Sequence, residues 1–576
     1  MALFNGGFMR HYRPFVLFYF CISCIVELAF SKVPLPAGFS FNTVSESPGD
    51  NSRKIRAIPP APVRNIAEFE PMEASLIRYP LNFPVDMVKD LAEDAIVYVY
   101  CGSSQQTQAN QAFTNAGVKM ANIKYIHLQS ADFWPRDHGP WYITDGENKI
   151  GIIDFVYEEN WNAPEVDTMP WLIAGIMNLS VFKMTNIKTA GGNYMCDGWG
   201  NAVSSDKIQK NNPSLTLAQI KTTFKDYCGI ETYHSLKDPN GDDINLDHVD
   251  CWAKFLTPDK IMIRQTPATD ADYKALEDIV TYFKGLKSAY GTPYKIFRVT
   301  STGKTQAYTN SLIFNNRVLV PFSSASNDAP ALEAYKNAMP GYIVKGYTYT
   351  GWKNYDALHC RVMGLADKGM LYIKHIPLHD TIADTGKGIL LSAALIPYSG
   401  QELIADSCAV YYKRKDDAAF KSAPLSVTTG NTYTATIPCQ FADSFIHYYI
   451  HAADKSGRSE NHPYIGAPDP HVFYYDYKGT AISTNHIPQK QSALCTHYAD
   501  PFMRRVYISW KIPFIAHDAS LYLYSTTGRS IRRWNITTTA GSVAWDPTIA
   551  GPGVYIYSLR NGTTRVSGIM QVTPEL

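Results

Sequence analysis

The chain has 576 residues, with 53 Lys and Arg against 52 Asp and Glu, a formal net charge of +1 and 45% hydrophobic residues. That balance excludes a disordered chain, a collagen-like repeat and a strongly basic nucleic-acid binder. Length alone predicts about three or four domains. The 38 Tyr, 26 Phe and 10 Trp favour strand-rich structure, and ten cysteines are too sparse for a disulfide scaffold.

Residues 1–31 read as a secretory signal peptide: a basic patch (Arg10, His11, Arg13), an apolar run from Phe15 to Val26, then Ala29-Phe30-Ser31 before the expected cut. The run is about a dozen residues, short of the roughly 20 needed to span a bilayer, and Glu27 closes it, so no transmembrane segment is expected. Cys21 and Cys24 would leave with the signal. Among the remaining cysteines, Cys408 and Cys439 are the expected disulfide pair, because they share one short strand-rich segment.

Residues 32–62, rich in Pro, Ser, Gly and Asn, read as a flexible leader. From 63 to 375, helical and β-rich stretches alternate in an α/β pattern. Helices are expected at Asp86–Asp94, Leu215–Tyr227, Asp272–Leu286 and Ala331–Ala338. Strands are expected at Ile96–Tyr100, Ile150–Tyr157, Lys260–Arg264, Tyr294–Val299, Val318–Phe322 and Met370–His375. Residues 376–476 lose helical periodicity and predict a β-sandwich, with strands at Ala409–Lys413, Tyr433–Ile437 and Phe445–Ala452. A polar linker at 477–499 precedes a second small β-domain over 500–576, with strands at Val506–Trp510, Leu521–Tyr524, Ser542–Trp545 and Val554–Leu559.

Three segments before residue 375 could carry chemistry. Trp134-Pro135-Arg136-Asp137-His138-Gly139-Pro140-Trp141 reads as a turn that sets an acid beside an aromatic wall, which suits a planar cation. His248-Val249-Asp250 is expected in an extended strand, where positions i and i+2 face one side and pair an imidazole with a carboxylate. His359-Cys360 supplies a thiol, nucleophilic only as a thiolate and activated by a positive neighbour. Each has a plain structural reading: a surface turn, a satisfied histidine, a buried cysteine. Zinc motifs are absent after the signal, and Asp238-Pro239-Asn240-Gly241-Asp242 is a poor calcium loop, its glycine early and its closing glutamate missing. Taken together, two acids, a histidine, a cysteine and a tryptophan fit thiolate attack on a guanidinium carbon held by two carboxylates.

The stretches WPRDHGPW, TAGGNYMCDGWG, HVDCWAKFL, YTNSLIFNNRVLVP and DALHCR with ADKGMLYIKH stand in the order found in Porphyromonas-type peptidylarginine deiminases, which the chain resembles. These enzymes form a branch of the guanidino-modifying superfamily that also contains agmatine deiminases. The resemblance implies a five-bladed α/β propeller (pentein) catalytic domain, an immunoglobulin-like sandwich and a type IX secretion-like sorting domain, placing the protein outside the cell or on its outer surface. It implies Cys360 as nucleophile, His248 as acid and base, Asp137 and Asp250 as guanidinium clamps, Asn310 as an assisting residue and Trp134 lining the site. The expected partners are arginine-containing peptides or proteins and the type IX machinery. No cofactor is required, and a structural calcium ion stays open. Where the family's best-known enzyme carries two arginines that grip a C-terminal carboxylate, this chain has Glu159 and Trp161. Internal arginine, agmatine or free arginine thereby become candidate substrates. A non-catalytic secreted binding or adhesion protein is the alternative from another class, against which the intact set of Asp137, His248, Asp250, Asn310 and Cys360 argues.

Overall fold

A computed structural model describes residues 58–572, apart from 159–163, 240–246, 384–386, 439–443, 477–493, 501–504, 513–518, 527–528 and 562–563. The expected signal peptide, Glu159, Trp161 and Cys439 therefore lie outside the described residues. Between Arg64 and Ala366 the strands form five separate sheets of three or four strands each.

Every one of these sheets repeats a single pattern, an antiparallel pair followed by a parallel strand. Ala253–Thr257 pairs antiparallel with Lys260–Gln265, which pairs parallel with Lys295–Thr300 after the helix Tyr273–Lys284. Leu312–Phe314, Arg317–Phe322 and Ile343–Thr348 do the same around the helix Asp328–Ala338. So do Met195–Cys196, Asn201–Ser205 and Thr232–Leu236 around Leu217–Cys228, and Trp141–Thr144, Ile150–Tyr157 and Ser180–Thr189 around Met169–Met177. A parallel pair needs a crossover long enough to return the chain to the same sheet edge, and in each case the helix supplies it.

The fifth sheet joins the two ends of the region. Met363–Ala366 pairs antiparallel with Met72–Arg78, which runs parallel to Ile96–Cys101 after the helix Val85–Leu91. The last strand thus completes the sheet begun by one of the first, which is not finished until the chain reaches residue 366.

The four expected helices are present with ends shifted by up to three residues, whereas Gln106–Asn115 and Met169–Met177 are not among those expected. Leu217–Cys228 buries Ile220, Phe224 and Cys228 on one face, starts in a Thr216/Gln219 capping box and ends at Gly229 with φ +67°, a left-handed conformation suited to glycine. All five sheets share one core that includes Leu76, Val99, Ile153, Val203, Trp252, Ile263 and Val320.

The strand Leu371–Lys374, expected to close the α/β region, instead pairs with Ile389–Pro397 and buries Leu371 and Ile373 in the next core. Its alternation of buried apolar residues suits a sandwich face equally well, and periodicity alone does not say which sheet a strand joins. That core lies between a four-stranded sheet and a six-stranded sheet reaching from Leu371 to Asp476. Cys408 there is a buried free thiol, its Sγ directed at the Ala453 carbonyl 3.9 Å away. The two-pronged Arg458–Asp367 pair, at 2.7 and 2.8 Å, ties this sandwich to the preceding region.

Residues 480–576 form a separate unit. It has two antiparallel sheets around Val506, Ile508, Leu521, Leu523, Trp545 and Leu559. Its first strand, Leu494–Asp500, falls where the sequence predicts the end of a linker, because it pairs with Arg505–Lys511. No described helix is long and apolar enough to cross a membrane.

Leu76, fully buried, sits opposite Met363 and Tyr98 in the sheet that joins the two ends. Leu76→Ala is expected to cost about 2–5 kcal/mol, read as a lower denaturation midpoint in urea.

Candidate active site

The segments immediately before the first strand of each antiparallel pair carry the polar residues that meet. Asp137 precedes Trp141–Thr144, Gly192 precedes Met195–Cys196, His248 and Asp250 precede Ala253–Thr257, Asn310 precedes Leu312–Phe314, and Cys360 precedes Met363–Ala366. One repeated connection thus delivers one part of the site from each sheet.

Cys360 is fully buried. The Asn310 side chain donates from Nδ2 to its Sγ at 3.1 Å, while Asn310 Oδ1 accepts from the backbone N–H of Cys360 at 3.2 Å and of Ala357 at 3.1 Å. The Cys360 carbonyl accepts from Arg136 N at 3.3 Å, locking the turn that carries the thiol to the one that carries Asp137. Asp250 Oδ2 lies 3.6 Å from Sγ and 2.7 Å from His359 Nδ1. Burial, then the charges of Asp250 and Asp137, push the Cys360 thiol well above its ordinary range. Beside these acids the buried sulfur favours the thiol over the thiolate.

Asp137 sits in a four-residue helix, Pro135–His138, with Trp134 at its N-cap. Its Oδ1 accepts from Gly192 N at 2.9 Å and stands 3.7 Å from His248 Nδ1. Burial pushes its carboxyl up to about 8, with Asp250 and Glu158 adding and His248 opposing. The Trp134 ring packs against Phe133 at a tilt of 35°, centroids 4.2 Å apart.

His248 is extended, but Val249–Cys251 forms a 3-10 turn where a strand is expected. The two side chains nevertheless approach one point. A methyl carbon built on Gly192 would lie 2.5 Å from Asp137 Oδ1, 3.0 Å from Asp250 Oδ2 and 3.0 Å from His248 Nδ1. Only glycine at 192 lets these three groups, from two segments, approach so closely, because any side chain there would clash with them.

Glu158, which no sequence motif singles out, accounts for the state of His248. Its Oε1 lies 3.0 Å from His248 Nε2 and 2.9 Å from Lys207 Nζ, and Asn211 donates to Oε2 at 2.5 Å. Burial would raise this carboxyl, but His248 and Lys207 outweigh it and hold it down at about 2. Burial would lower the His248 pKa, but Glu158 and Asp137 outweigh it and raise it. Its Nδ1 has no hydrogen-bond partner among the described residues and lies beside Gly192, on the side of Asp137. One nitrogen is fixed by an acid and the other is free to exchange a proton.

The structure therefore brings together Cys360, Asn310, Asp250, His248 and Asp137, with Trp134 at the edge of the segment bearing Asp137. Sequence reasoning misses Glu158, Gly192 and Glu68 as parts of the same network and names His359 only as the neighbour of Cys360, with no role of its own. Among the described residues no group of three or more His, Cys, Asp or Glu side chains could hold a metal ion.

A model of the Porphyromonas-type peptidyl-arginine deiminase family matches residues 67–364, just over half of the chain. An agmatine deiminase of Pseudomonas aeruginosa is 22% identical over 285 residues, 42% of this chain and 76% of its own length. One from Pseudomonas putida is 20% identical over 299 residues, 45% of this chain and 80% of its own. The solved agmatine deiminase of Enterococcus faecalis shares the fold at a TM-score of 0.50 and 19% identity, covering 55% of this chain and 99% of the other.

Gly192→Ala is expected to fill the point between the three groups. Activity should fall by about two orders of magnitude or more with the melting temperature little changed, checked by steady-state turnover beside a thermal melt.

Proposed function

Since the chain belongs to the Porphyromonas-type peptidyl-arginine deiminase family, and is thereby a hydrolase of amidine C–N bonds in guanidino compounds, we propose that it converts arginine residues of peptides and proteins to citrulline and ammonia. The observation that carries this reading is the convergence of Asp137, Asp250 and His248 beside the bare Cα of Gly192, with the Cys360 thiol 3.6 Å from one of those acids.

A guanidinium is planar, permanently charged and rich in N–H donors. Held between the two acids, it donates to Asp137 and Asp250, and its charge favours the thiolate that burial beside those acids disfavours. As the cation binds, the Cys360 thiol releases its proton to solvent, and the thiolate Sγ forms a bond to the guanidinium carbon. His248 passes its proton to one departing nitrogen, the C–N bond breaks, and ammonia leaves a thiouronium-type intermediate on Cys360. Water then adds to that carbon while His248 takes back a proton. The C–S bond breaks, and the ureido product departs as the thiolate returns. Asn310 Nδ2, 3.1 Å from Sγ, stabilises the sulfur while it carries charge.

The five small sheets act as the blades of an α/β propeller around this pocket, and the following sandwich serves as an immunoglobulin-like domain. Support comes from the repeated strand pattern and from the sheet shared by both ends of the region. Export, with the C-terminal β unit as a type IX-like sorting domain, rests on the N-terminal apolar run and on the chain pattern after residue 500. Agmatine or free arginine is the second reading, favoured by the names of the relatives. In either case Glu159 and Trp161 provide no cation to grip a C-terminal carboxylate.

Incubating the protein with peptides bearing internal or C-terminal arginine, with free arginine and with agmatine, and assaying ureido product and ammonia, tests the proposal. Internal arginine should turn over at least as well as C-terminal arginine. Cys360→Ser should lose activity by about a thousandfold or more. Turnover of agmatine alone would select the second reading, and none on any guanidine would overturn both.

The Asp137 carboxyl, near 8 when the site is empty, must lose its proton to receive a guanidinium. In Cys360→Ser, binding of a guanidine analogue is expected to weaken roughly tenfold per pH unit below 8 and to release about one proton at pH 7. Calorimetry in buffers of different ionisation enthalpy checks this.

A further inference from the structure

We propose that His359, backed by Glu68, is a positioning residue that keeps Asp250 a carboxylate aimed at the substrate cation, an inference that rests on the guanidinium reading of the site. Both ring nitrogens of His359 meet carboxylate oxygens: Nδ1 lies 2.7 Å from Asp250 Oδ2, and Nε2 bonds Glu68 Oε2. An ionised carboxylate only accepts hydrogen bonds, and a neutral imidazole has one donor and one acceptor nitrogen. A neutral ring would therefore set a lone pair against one of the two acids. An imidazolium donates to both.

Glu68 is built to stay charged. Its Oε1 accepts from Lys254 Nζ at 2.9 Å and from Ile313 N at 2.9 Å, and its Oε2 lies 3.1 Å from Arg136 Nη2. The charged and titratable groups facing the ring and its two acids include Lys254, Arg136, the Cys360 thiol and the Cys251 thiol 3.7 Å from Asp250 Oδ1, with His248, Asp137 and Asp356 also acting on Asp250. His359 is itself pinned, its backbone N–H donating to the Asn310 carbonyl at 3.0 Å. The ring also adjoins a cavity of about 70 Å³ bordered by Asp250, Glu68, Arg136 and Lys254, whose walls include neither Cys360 nor His248. It acts through Asp250, away from the reacting atoms. Burial would raise the Asp250 carboxyl, and the His359 contact lowers it below its ordinary value. Without that contact, a carboxylate buried beside a thiol takes up a proton and no longer attracts a cation.

The test compares alkylation of Cys360 by 2-chloroacetamidine, a cation, with alkylation by neutral iodoacetamide, alongside turnover of a guanidino substrate. The wild-type protein is expected to prefer the amidine strongly; no preference would sink the guanidinium reading itself, and this inference with it. His359→Gln should lose that preference by about tenfold or more. It should raise KM more than it lowers kcat, and the KM deficit should shrink as pH rises and Asp250 ionises unaided. A role confined to packing would change both alkylation rates in parallel with no recovery at high pH, and that result, or an unchanged preference, overturns the proposal. Glu68→Gln retains the ring and removes its second acid. It should shift preference and KM in the same direction, and wild-type values there overturn the proposal even if His359→Gln fails to fold.

Discussion

Buried negative charge is the constraint on which this molecule turns. A carboxylate taken out of water must find a cation, a set of hydrogen bonds or a proton. The centre of the α/β region answers this for each acid in turn. Glu158 has His248, Lys207 and Asn211; Glu68 has Lys254, Arg136 and His359; Asp356 has the Arg361 guanidinium at 2.7 and 3.1 Å. Asp250 has His359. Asp137 alone depends on one backbone N–H and an imidazole 3.7 Å away, and it is the acid whose carboxyl rises to about 8. Asp137 is thus the acid of this set that lacks a close cationic partner.

The repeated sheet pattern explains how so many polar groups meet without unravelling the core. Each antiparallel pair starts from a connection that carries site residues, and each parallel strand returns behind a helix, so the apolar faces remain with the sheets while the connections carry the polar groups. Arg136 N to the Cys360 carbonyl, Gly192 N to Asp137, and Cys360 N to Asn310 Oδ1 then stitch connection to connection. Residues separated by more than two hundred positions become neighbours through the sheet that pairs Met363–Ala366 with Met72–Arg78.

What was legible in the sequence follows the range of the forces involved. Helices such as Tyr273–Lys284 and strands such as Ile150–Tyr157 are local, because apolar spacing and turn residues announce them. The acids, the imidazole and the thiol stood out because they sit in short, unusual segments: Asp137 among aromatics, Asp250 two places after His248, Cys360 after a histidine. Long-range pairing was invisible. Nothing in Glu158 or Glu68 marks it as the partner of a histidine 90 or 291 residues away. The strand Leu371–Lys374 has the same local pattern whichever sheet receives it, and the turn at Val249–Cys251 is settled by its surroundings, since an i, i+2 pair looks the same in a strand and in this bend.

The charge shortage also narrows what the pocket can accept. A neutral ligand would leave Asp137 protonated and the thiol unactivated, so it would meet neither clamp nor nucleophile. A primary ammonium brings charge but offers three donors on one atom, with no carbon between them for sulfur to attack. A guanidinium spreads its donors over three nitrogens around one carbon. It can therefore engage acids from two separate segments while presenting that carbon to Cys360. The arrangement of Asp137, Asp250 and Cys360 selects for the group being cleaved rather than for the chain that carries it. Discrimination between peptide, amino acid and amine must then come from residues outside this inner ring.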